Sequence, residues 1–368
     1  PPCRLRSLGR LCQEGGAPLW APASHPWGSA AREEPPFELW DGDIVVCTYP
    51  KCGTTWMQYI VLCLLYNGDA SQIGNLDFES PFIEWIALGK GDDEKGKDKG
   101  KGKDGEGKDK SFPGFDKDKD KGKGKDKDKD KDKDKDKGKD KDKKGKDKDK
   151  DKKGKGKDDG KGEDEWPRPP NSVFKTHVQA GECLWTGGVE RIGKKKAKVV
   201  IVCRNPKDAL LSMWKQEKVN CEYEGEFSEW FDMFLQDFPD RHGPGPKCFW
   251  TWYADWWKVK ESNDGVCWVV FEDLKRDLKG QVRKVAEFLA ECGVEITEEL
   301  IDKVTFETSF EQMKSKEGSQ LQSLLTKGKA GGWRNEITGD LLEKFDKVHE
   351  QKMKELDIPF SFDFGDAQ

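Results

Sequence analysis

The sequence predicts one α/β domain with a central parallel β-sheet flanked by helices. Two continuous apolar runs, 44–47 and 198–203, carry this prediction, because each is followed at once by turn residues and then by a helical pattern. Runs of this kind are typical of strands that are buried on both faces of a parallel sheet. A third strand is predicted from the alternating segment 172–177, which follows two prolines.

The composition changes abruptly along the 368 residues of the chain. Residues 91–165 are almost wholly Lys, Asp and Gly, whereas the flanking sequence is rich in Trp and Phe. We therefore predict one globular domain formed by residues 37–90 and 166–355, interrupted by an insert at 91–165. Residues 1–36 are predicted to be a disordered N-terminal region, and residues 356–368 a C-terminal tail. Whether the N-terminal region is the remnant of a targeting peptide stays open.

The insert is predicted to be disordered and solvated. Between residues 117 and 152, Lys and Asp nearly alternate, which would place like charges at positions i and i+4 of a helix. With almost no apolar residue to bury, nothing offsets the entropy that the segment would lose on ordering. The insert is either a repeat expansion tolerated in a surface loop or a tether that makes weak electrostatic contacts.

Charge, hydropathy and cysteine content argue against several functions. The net charge of -5 gives no basis for nucleic-acid binding, and no apolar run approaches the roughly 18–20 residues that cross a membrane. The eleven cysteines are scattered and form no C-x-x-C pair. This pattern argues against a disulfide framework and a zinc site, and it favours a reducing, cytoplasmic location. No acidic cluster in the globular parts indicates a metal site.

The segment after the first strand has the chemistry of an anion-binding loop. Lys51 contributes a positive charge, Gly53 permits a tight turn, and Thr54 and Thr55 contribute hydroxyl donors. The first N–H groups of the following helix lack intrahelical partners, and the helix dipole places positive charge at the same point. We therefore predict a P-loop-like phosphate or sulfate site, although Lys51 precedes the glycine, unlike the lysine of the standard P-loop.

A second anion-binding corner follows the second apolar run. Arg204 comes directly after the strand, where ligands of open α/β sheets bind, and its planar guanidinium suits phosphate oxygens. Asn205 is a good N-cap, Pro206 suits the first helical position, and Asp208 is predicted to complete the cap. Ser212 lies two helical turns further on, and the spacing alone leaves open whether it reaches the same ligand.

Three other features are candidates for a functional role. His177 differs from the other three histidines because it ends the third predicted strand, although a lone histidine is most often structural or merely exposed. Residues 327–335 are glycine-rich and basic, which suits a loop that wraps backbone N–H groups around phosphate. The tryptophan-dense segment 249–257 has helical spacing and is either a core helix or part of an acceptor site.

Four of these motifs resemble those of the cytosolic sulfotransferases, which use the sulfonate donor PAPS (3′-phosphoadenosine 5′-phosphosulfate). Residues 49–56 read Y-P-K-C-G-T-T-W, which is similar to the family's Y-P-K-S-G-T-T-W loop. Residues 204–212 match its R-N-P-K-D-x-x-x-S element, and residues 175–177 match the start of its K-T-H-L-P segment. Residues 327–335 resemble the end of its R-K-G-x-x-G-D-W-K-N segment.

The resemblance implies which residues bind the phosphosulfate and the 3′-phosphate of the donor and which take part in the transfer. The residues implied to bind the 5′-phosphosulfate are Lys51, Cys52, Gly53, Thr54 and Thr55. Arg204 and Ser212 would bind the 3′-phosphate. His177 would be the general base, while Lys51 and Lys175 would stabilise the charge that develops during transfer. The two residues after His177 depart from the family's Leu-Pro, which we expect to weaken the turn there.

The resemblance also implies which residues lie near the nucleotide. Trp56, Phe271, Thr308 and Phe310 would lie near adenine, although Phe271 lacks the hydroxyl of the family's tyrosine. Lys327 and Gly328 would close over the nucleotide, and Thr326 stands where the family has arginine.

Taken together, the resemblance implies a PAPS-dependent sulfotransferase that acts on a hydroxyl or amine of a small molecule and needs no metal. The family's dimer motif, K-x-T-V-x-x-x-E, is present only in part, with Gly339 in the place of valine, which leaves a homodimer open. Two alternatives remain: a protein that binds PAP or PAPS with little turnover and, less favoured, a P-loop kinase. For Cys52, a simple replacement of the family's serine is favoured over a further hypothesis, a thiol pKa lowered by the helix N-terminus and Lys51. The sequence does not identify the acceptor.

Overall fold

Four parallel strands form the centre of the fold. The computed structural model describes residues 37–89, 169–220, 223–238, 248–315 and 330–365. The strands are β1 (Ile44–Thr48), β2 (Val173–Thr176), β3 (Lys198–Cys203) and β4 (Val266–Val270). They lie in the order β2-β1-β3-β4, and every neighbouring pair is parallel. The predicted α/β class and the three predicted strands are confirmed, while the predicted insert and N-terminal region lie outside the described residues.

Helices cover the sheet and connect its strands. Those that follow β1 are α1 (Thr54–Leu65), α2 (Leu76–Glu79) and α3 (Ile83–Gly89). Those between β3 and β4 are α4 (Pro206–Asn220), α5 (Phe227–Leu235) and α6 (Phe249–Ser262). Those after β4 are α7 (Phe271–Arg276), α8 (Leu278–Phe288), α9 (Glu298–Glu307), α10 (Phe310–Ser315) and α11 (Asp340–Glu355).

The sheet is buried on both faces, which explains why its strands are continuously apolar. Every residue of β1, β2 and β3 is buried. Because successive side chains of a strand point to opposite faces, Val45 and Cys47 of β1 join one core cluster, and Ile44 and Val46 join the other. The first cluster contains Trp250, Trp252 and Trp256 of α6, and the second contains most of α1.

Helix α1 runs through the second core cluster and presents no polar face. Nine of its twelve residues are buried, so it is held by packing around its whole circumference. A helix in this setting has a fixed position relative to the sheet. Its N-terminus, which follows the predicted anion-binding loop, is therefore fixed as well.

The carboxyl ends of the strands meet at one edge of the sheet. The residues that follow these ends are the predicted anion-binding loop after β1, His177 after β2, Arg204 after β3 and Phe271 after β4. The parallel pairing therefore brings together segments that are far apart in the sequence.

The segment predicted as a C-terminal tail packs, as far as residue 365, against the core. Phe362 is 1% exposed, and its ring lies 5.2 Å from that of Phe249 and 5.5 Å from that of Tyr253. The carbonyl of Phe362 also accepts a hydrogen bond from the side chain of Asn205 at 3.3 Å. In the part of the chain that the structure describes, no helix has the length and apolar character needed to cross a membrane.

Candidate active site

The loop between β1 and α1 has the backbone of a tight anion-binding turn. The N–H of Cys52 donates to the carbonyl of Tyr49 at 3.2 Å, and the next residues lead directly into α1. Lys51 and Gly53 have φ angles of 64° and 106°, both in the left-handed region. For a lysine this conformation is unfavourable, and residues held in this way cluster at ligand-binding sites. A Cβ atom on Gly53 would lie only 2.9 Å from Cδ2 of Phe271, so the position requires glycine.

Positive charge is concentrated beside this loop. Arg204 is buried, and its Nη1 donates to the carbonyl of Lys51 at 2.7 Å. Burial and, next, the neighbouring charge of Arg204 lower the pKa of Lys51 to about 8. An anion bound between these two cations would relieve their repulsion, so the arrangement suits a phosphate or sulfonate group. The two predicted anion-binding corners are therefore in contact.

The thiol of Cys52 differs from the sequence-based hypothesis. Cys52 is fully buried, and burial raises the pKa of its thiol to about 12. The thiol donates to the carbonyl of Pro50 at 3.7 Å. The hypothesis of a lowered pKa is wrong, because the loss of solvation outweighs the positive charge of Lys51 and of the helix N-terminus. Cys52 is a protonated, space-filling residue of the loop.

The two threonines of the loop begin helix α1 and are both half-buried. The hydroxyl of Thr54 lies 2.6 Å from the hydroxyl of Thr48, the last residue of β1. This contact joins the start of α1 to the end of the strand. Thr55 lies in the same first turn, where the N–H groups lack intrahelical partners.

The second corner is organised by the first turn of α4. The side chain of Asn205 accepts a hydrogen bond from the N–H of Lys207 at 3.0 Å, and Pro206 is the first helical residue, so both predictions are confirmed. The N–H of Asn205 donates to Glu272 at 3.1 Å, and burial raises the pKa of that carboxyl to about 7. Ser212 lies half-buried two turns along α4, whereas Arg204 lies between β3 and the start of that helix.

Asp208 does not complete the cap of α4 as predicted. Its buried carboxylate instead accepts hydrogen bonds from the N–H of Gly331 at 2.6 Å and of Trp333 at 3.1 Å. The described end of the glycine-rich segment is thus attached to the second corner. Lys327 and Gly328, which are predicted to close over the nucleotide, lie outside the described residues.

The ring of His177 is held by a backbone carbonyl at the end of β1. Its Nδ1 lies 2.7 Å from the carbonyl oxygen of Thr48. Because a carbonyl oxygen can only accept, Nδ1 carries the hydrogen, and Nε2 is the basic nitrogen of the ring. Since Thr48 also contacts Thr54, one residue links the histidine to the anion-binding loop.

The side chains around His177 are aromatic and charged. Phe82 packs edge-on against the His177 ring, with centroids 5.2 Å apart, and Trp85 lies 5.0 Å from Phe82. Lys175 is 4.4 Å from the centre of the Phe82 ring and forms an ion pair with Asp77 at 2.8 Å. Lys175 is thus near His177 as predicted, with a carboxylate as partner.

The turn after His177 keeps the conformation that proline would impose. Gln179 has a φ angle of -75°, close to the value that a proline ring fixes. Its side chain donates to Asp255 of α6. The departure from the family's Leu-Pro therefore does not weaken the turn, contrary to our expectation, because side-chain hydrogen bonding holds the same backbone.

The predicted adenine-binding residues gather next to the second corner. Trp56 lies 5.6 Å from Phe271 in an edge-on arrangement, and its indole N–H donates to the carbonyl of Thr308 at 2.8 Å. The guanidinium of Arg204 lies 4.3 Å from the centre of the Phe271 ring. Phe310 begins α10, and the Lys275 ammonium lies between its ring and that of Trp56, at 5.3 and 5.9 Å.

Comparison with known proteins shows which family the chain belongs to. Residues 41–357 match the family described as the sulfotransferase domain. The chain belongs to the sulfotransferase domain family.

Sulfotransferase relatives align over most of the chain. Human "Sulfotransferase 1C2" is 24% identical over 346 residues, which cover 88% of this chain and 87% of the relative. Rabbit (Oryctolagus cuniculus) "Amine sulfotransferase" is 21% identical over 346 residues, which cover 90% of this chain and 87% of the relative. The match therefore extends well beyond the short motifs.

Solved structures share the fold. Mouse sulfotransferase SULT7A1, complexed with PAP, superposes with a TM-score of 0.53 at 17% identity and 87% coverage of both chains. A retinol dehydratase in a complex with retinol and PAP gives a TM-score of 0.56 at 14% identity, covering 89% of this chain and 85% of that chain. At such identities the likeness concerns the fold.

Sequence reasoning missed several residues of this sulfotransferase site. Glu84 accepts hydrogen bonds from the N–H of His177 and the hydroxyl of Thr176, at 2.8 and 2.9 Å. Trp252 donates to the carbonyls of His177 and Val178, both at 3.0 Å. The dense tryptophans of α6 marked a core helix but not these bonds, and no local signal distinguished Glu84 from a surface glutamate. Among the described residues, no group of three or more His, Cys, Asp or Glu side chains is placed to hold a metal ion.

Proposed function

We propose that this sulfotransferase transfers the sulfonate of PAPS to a hydroxyl or amine of a small organic molecule, with His177 as general base. The observation that carries the proposal is the double use of Thr48. Its carbonyl holds Nδ1 of His177 at 2.7 Å, while its hydroxyl contacts the first residue of α1 at 2.6 Å. The base and the anion-binding loop are thus fixed to the same residue.

The residues of the loop and the second corner fit a donor with two anionic ends. Lys51, at the helix N-terminus, would bind the phosphosulfate end, and Arg204 would bind the 3′-phosphate. The crowding of these cations, expressed in the lowered pKa of Lys51, supports this assignment. The aromatic side chains beside Arg204, those of Trp56 and Phe271, would contact the adenine of the donor.

In the proposed reaction, the acceptor oxygen or nitrogen forms a bond to sulfur as the bond between sulfur and the 5′-phosphate oxygen breaks. The acceptor proton passes to Nε2 of His177, and the leaving group departs as PAP, the desulfated form of the donor. Lys51, Lys175 and the N–H groups of the loop stabilise the charge that develops on the sulfonyl and phosphate oxygens. The bond from Nδ1–H to Thr48 stabilises the imidazolium that results.

The surroundings of His177 support a small organic acceptor. Phe82 and Trp85 line the approach to the base, and Trp85 is 42% exposed. Exposed aromatic side chains next to a polar reacting group are typical of sites for small molecules. The proposal extends to both hydroxyl and amine acceptors, and an amine sulfotransferase is among the relatives.

We place the protein in the cytoplasm and treat residues 91–165 as an insert in a surface loop. The first proposal is supported by the buried free thiols of Cys47, Cys52 and Cys203, which suit a reducing compartment. The second is supported by the composition of the segment. A variant lacking residues 91–165 is expected to bind PAP as the full chain does. The partial dimer motif leaves homodimerisation as a question for light scattering.

A protein that binds PAP but turns over slowly is the second candidate. The ion pair between Lys175 and Asp77 favours it, because a lysine held by a carboxylate is less available to the sulfonate. The absence of a hydroxyl on Phe271 points in the same direction.

Turnover with a panel of acceptors tests the proposal. The panel contains 2-naphthol, benzyl alcohol and 2-naphthylamine, each assayed with PAPS. We expect a sulfated product from at least one of them, and a roughly 10²–10⁴-fold lower kcat for His177→Ala. His349→Gln, which changes another half-buried histidine, serves as the control and should retain kcat. Undiminished turnover by His177→Ala would remove the base, and PAP binding without any product would favour the second candidate.

A further inference from the structure

The peptide of His177 is held on both sides by buried side chains from two different helices. Its N–H donates to Oε1 of Glu84, on α3, at 2.8 Å. Its carbonyl accepts from Nε1 of Trp252, on α6, at 3.0 Å. Glu84 is 8% exposed and Trp252 is 0% exposed, so both bonds are shielded from water.

The Glu84 carboxylate is unusual for a buried structural group. Oε1 accepts from both the His177 N–H and the Thr176 hydroxyl, whereas Oε2 has no hydrogen-bond partner among the described residues. A buried carboxylate oxygen without a partner lowers the stability of the fold. A carboxylate retained at such a cost is most simply explained by what its other oxygen holds, which is the Thr176 hydroxyl together with the peptide N–H of His177.

Trp252 and its neighbours hold the other side. Its indole N–H is shared between the carbonyls of His177 and Val178, and Trp256 donates to the Val178 carbonyl at 3.1 Å. On the same helix, Trp250 is equally buried, but it donates to Nδ1 of His349 at 2.9 Å. Helix α6 therefore contains both a tryptophan that touches the His177 peptide and a matched one that does not.

We infer that Glu84 and Trp252 are positioning residues that fix the peptide of His177 and thereby the orientation and tautomer of its ring. The inference rests on the proposed role of His177 as general base. With the peptide fixed on both sides, Cα–Cβ points at the carboxyl end of β1, and Nδ1 meets the Thr48 carbonyl at 2.7 Å. If the peptide rotates, this bond is lost, and Nε2 no longer carries the lone pair in a single orientation.

The test compares Trp252→Phe with Trp250→Phe, and Glu84→Ala with Glu84→Gln, in the full chain. In the first pair, each variant loses one indole N–H from the same helix. In the second pair, the amide oxygen of Gln can still accept from the His177 N–H. The first readout is the ¹⁵N chemical shifts of the His177 ring in histidine-labelled protein, assigned by the signal that His177→Ala removes. The second is kcat, with KM for PAPS, using the best acceptor of the panel.

We expect wild type, Trp250→Phe and Glu84→Gln to show a protonated Nδ1. Trp252→Phe and Glu84→Ala should show averaged tautomers and a kcat lower by roughly 10- to 100-fold at unchanged KM for PAPS. Thermal midpoints of all variants reveal general destabilisation, which Trp250→Phe should share. Since the Glu84 pair is independent of the Trp252 pair, misfolding of one tryptophan variant does not decide the outcome.

Wild-type tautomer and kcat in Trp252→Phe and Glu84→Ala would overturn the inference. So would a parallel loss of PAP binding, because the residues would then act on the whole site. If His177→Ala were inactive in that case, the general base would stand and only the positioning role would fall. If His177→Ala retained full turnover, the proposed base would fall, and the inference with it.

Discussion

The proposed donor corner and the proposed acceptor edge of the site are built by different means. The donor corner consists of Lys51, Gly53, Trp56, Arg204 and Phe271. The acceptor edge consists of Asp77, Phe82, Trp85, Lys175 and His177. In the donor corner, side chains bond to backbone carbonyls and glycine packs against a ring, as in the contacts of Arg204 with Lys51 and of Gly53 with Phe271. In the acceptor edge, side chains contact one another and are partly exposed, as in the pair of Lys175 with Asp77.

This difference implies a rigid site for the proposed nucleotide donor and an adaptable site for the acceptor. A site that binds one nucleotide benefits from groups fixed by the backbone, because no reorganisation is then needed on binding. A surface of aromatic and charged side chains can change rotamers, and so can accept molecules of different shape. Two residues of the acceptor edge depart from this pattern: the His177 peptide is fixed on both sides, and Lys175 is a buried residue of β2.

The largest effect is expected from Gly53→Ala, which breaks the rigidity of the donor corner. The residue has a φ angle of 106°, and the added Cβ would lie 2.9 Å from the Phe271 ring. We expect backbone strain and crowding to lower the free energy of unfolding by about 2–4 kcal/mol. PAP affinity should fall with it. Urea denaturation and a PAP titration measure both.

Gly293→Ala is the matched control for that substitution. Gly293 has a φ angle of 87°, but among the described residues, apart from its chain neighbours, no atom lies within 4 Å of the added Cβ. The backbone strain alone should cost about 1–2 kcal/mol and leave PAP affinity unchanged. Unaltered PAP affinity in Gly53→Ala would show that the donor corner adapts to the added methyl group and is therefore not rigid.

A smaller effect is expected from Asp77→Asn, which loosens the acceptor edge. The side chain of Asp77 is 34% exposed, so its ion pair with Lys175 contributes roughly 0.2–1 kcal/mol. Without the carboxylate, Lys175 is free to bind the anionic donor, and KM for PAPS should fall by less than tenfold. Asp69→Asn removes the same charge from a nearby exposed turn and should leave KM unchanged. A rise in KM would mean that the ion pair between Lys175 and Asp77 contributes to PAPS binding.

The smallest effect separates the pH dependence of the fold from that of the site. Burial and, next, the charge of Lys207 lower the pKa of His349, whose Nδ1 accepts from Trp250. Because the folded state disfavours the imidazolium, the unfolded chain binds the proton more tightly. Stability is therefore complete above the unfolded pKa, about 6.5, and falls as pH drops from that value towards the folded pKa.

His349→Gln should reduce this pH dependence without changing kcat. The measurement is the free energy of unfolding at pH 7.5 and 5.5 for both proteins. An equal loss in wild type and variant would assign the acid sensitivity to other groups.

The donor corner was predictable from the sequence to a degree that the acceptor edge was not. Lys51, Gly53, Arg204 and the cap at Asn205 follow from local rules, because a strand end, a turn residue and a helix start are adjacent in the chain. The parallel sheet then brings these corners together at one edge. The cap assigned to Asp208 failed because the partners of its carboxylate, Gly331 and Trp333, are distant in sequence.

Residues that depend on tertiary packing could not be derived in this way. Glu84 and Trp252 bond to the His177 peptide across 93 and 75 positions of the sequence. The hypothesis of a lowered pKa for Cys52 had the wrong direction, because full burial is a property of the packed core. Local charge is readable from the sequence, whereas desolvation is not.

A thermal shift with PAP, compared with ATP plus Mg²⁺, tests the donor corner most directly. It is measured on wild type, on Arg204→Ala and on Arg191→Ala, a control that loses an arginine paired with Asp41 at 2.6 Å. At about a hundred times its Kd, PAP should stabilise wild type and the control by roughly 2.7 kcal/mol. We expect this stabilisation to be lost in Arg204→Ala and ATP to have little effect. The same shift in Arg204→Ala, or a response to ATP but not to PAP, would contradict the account.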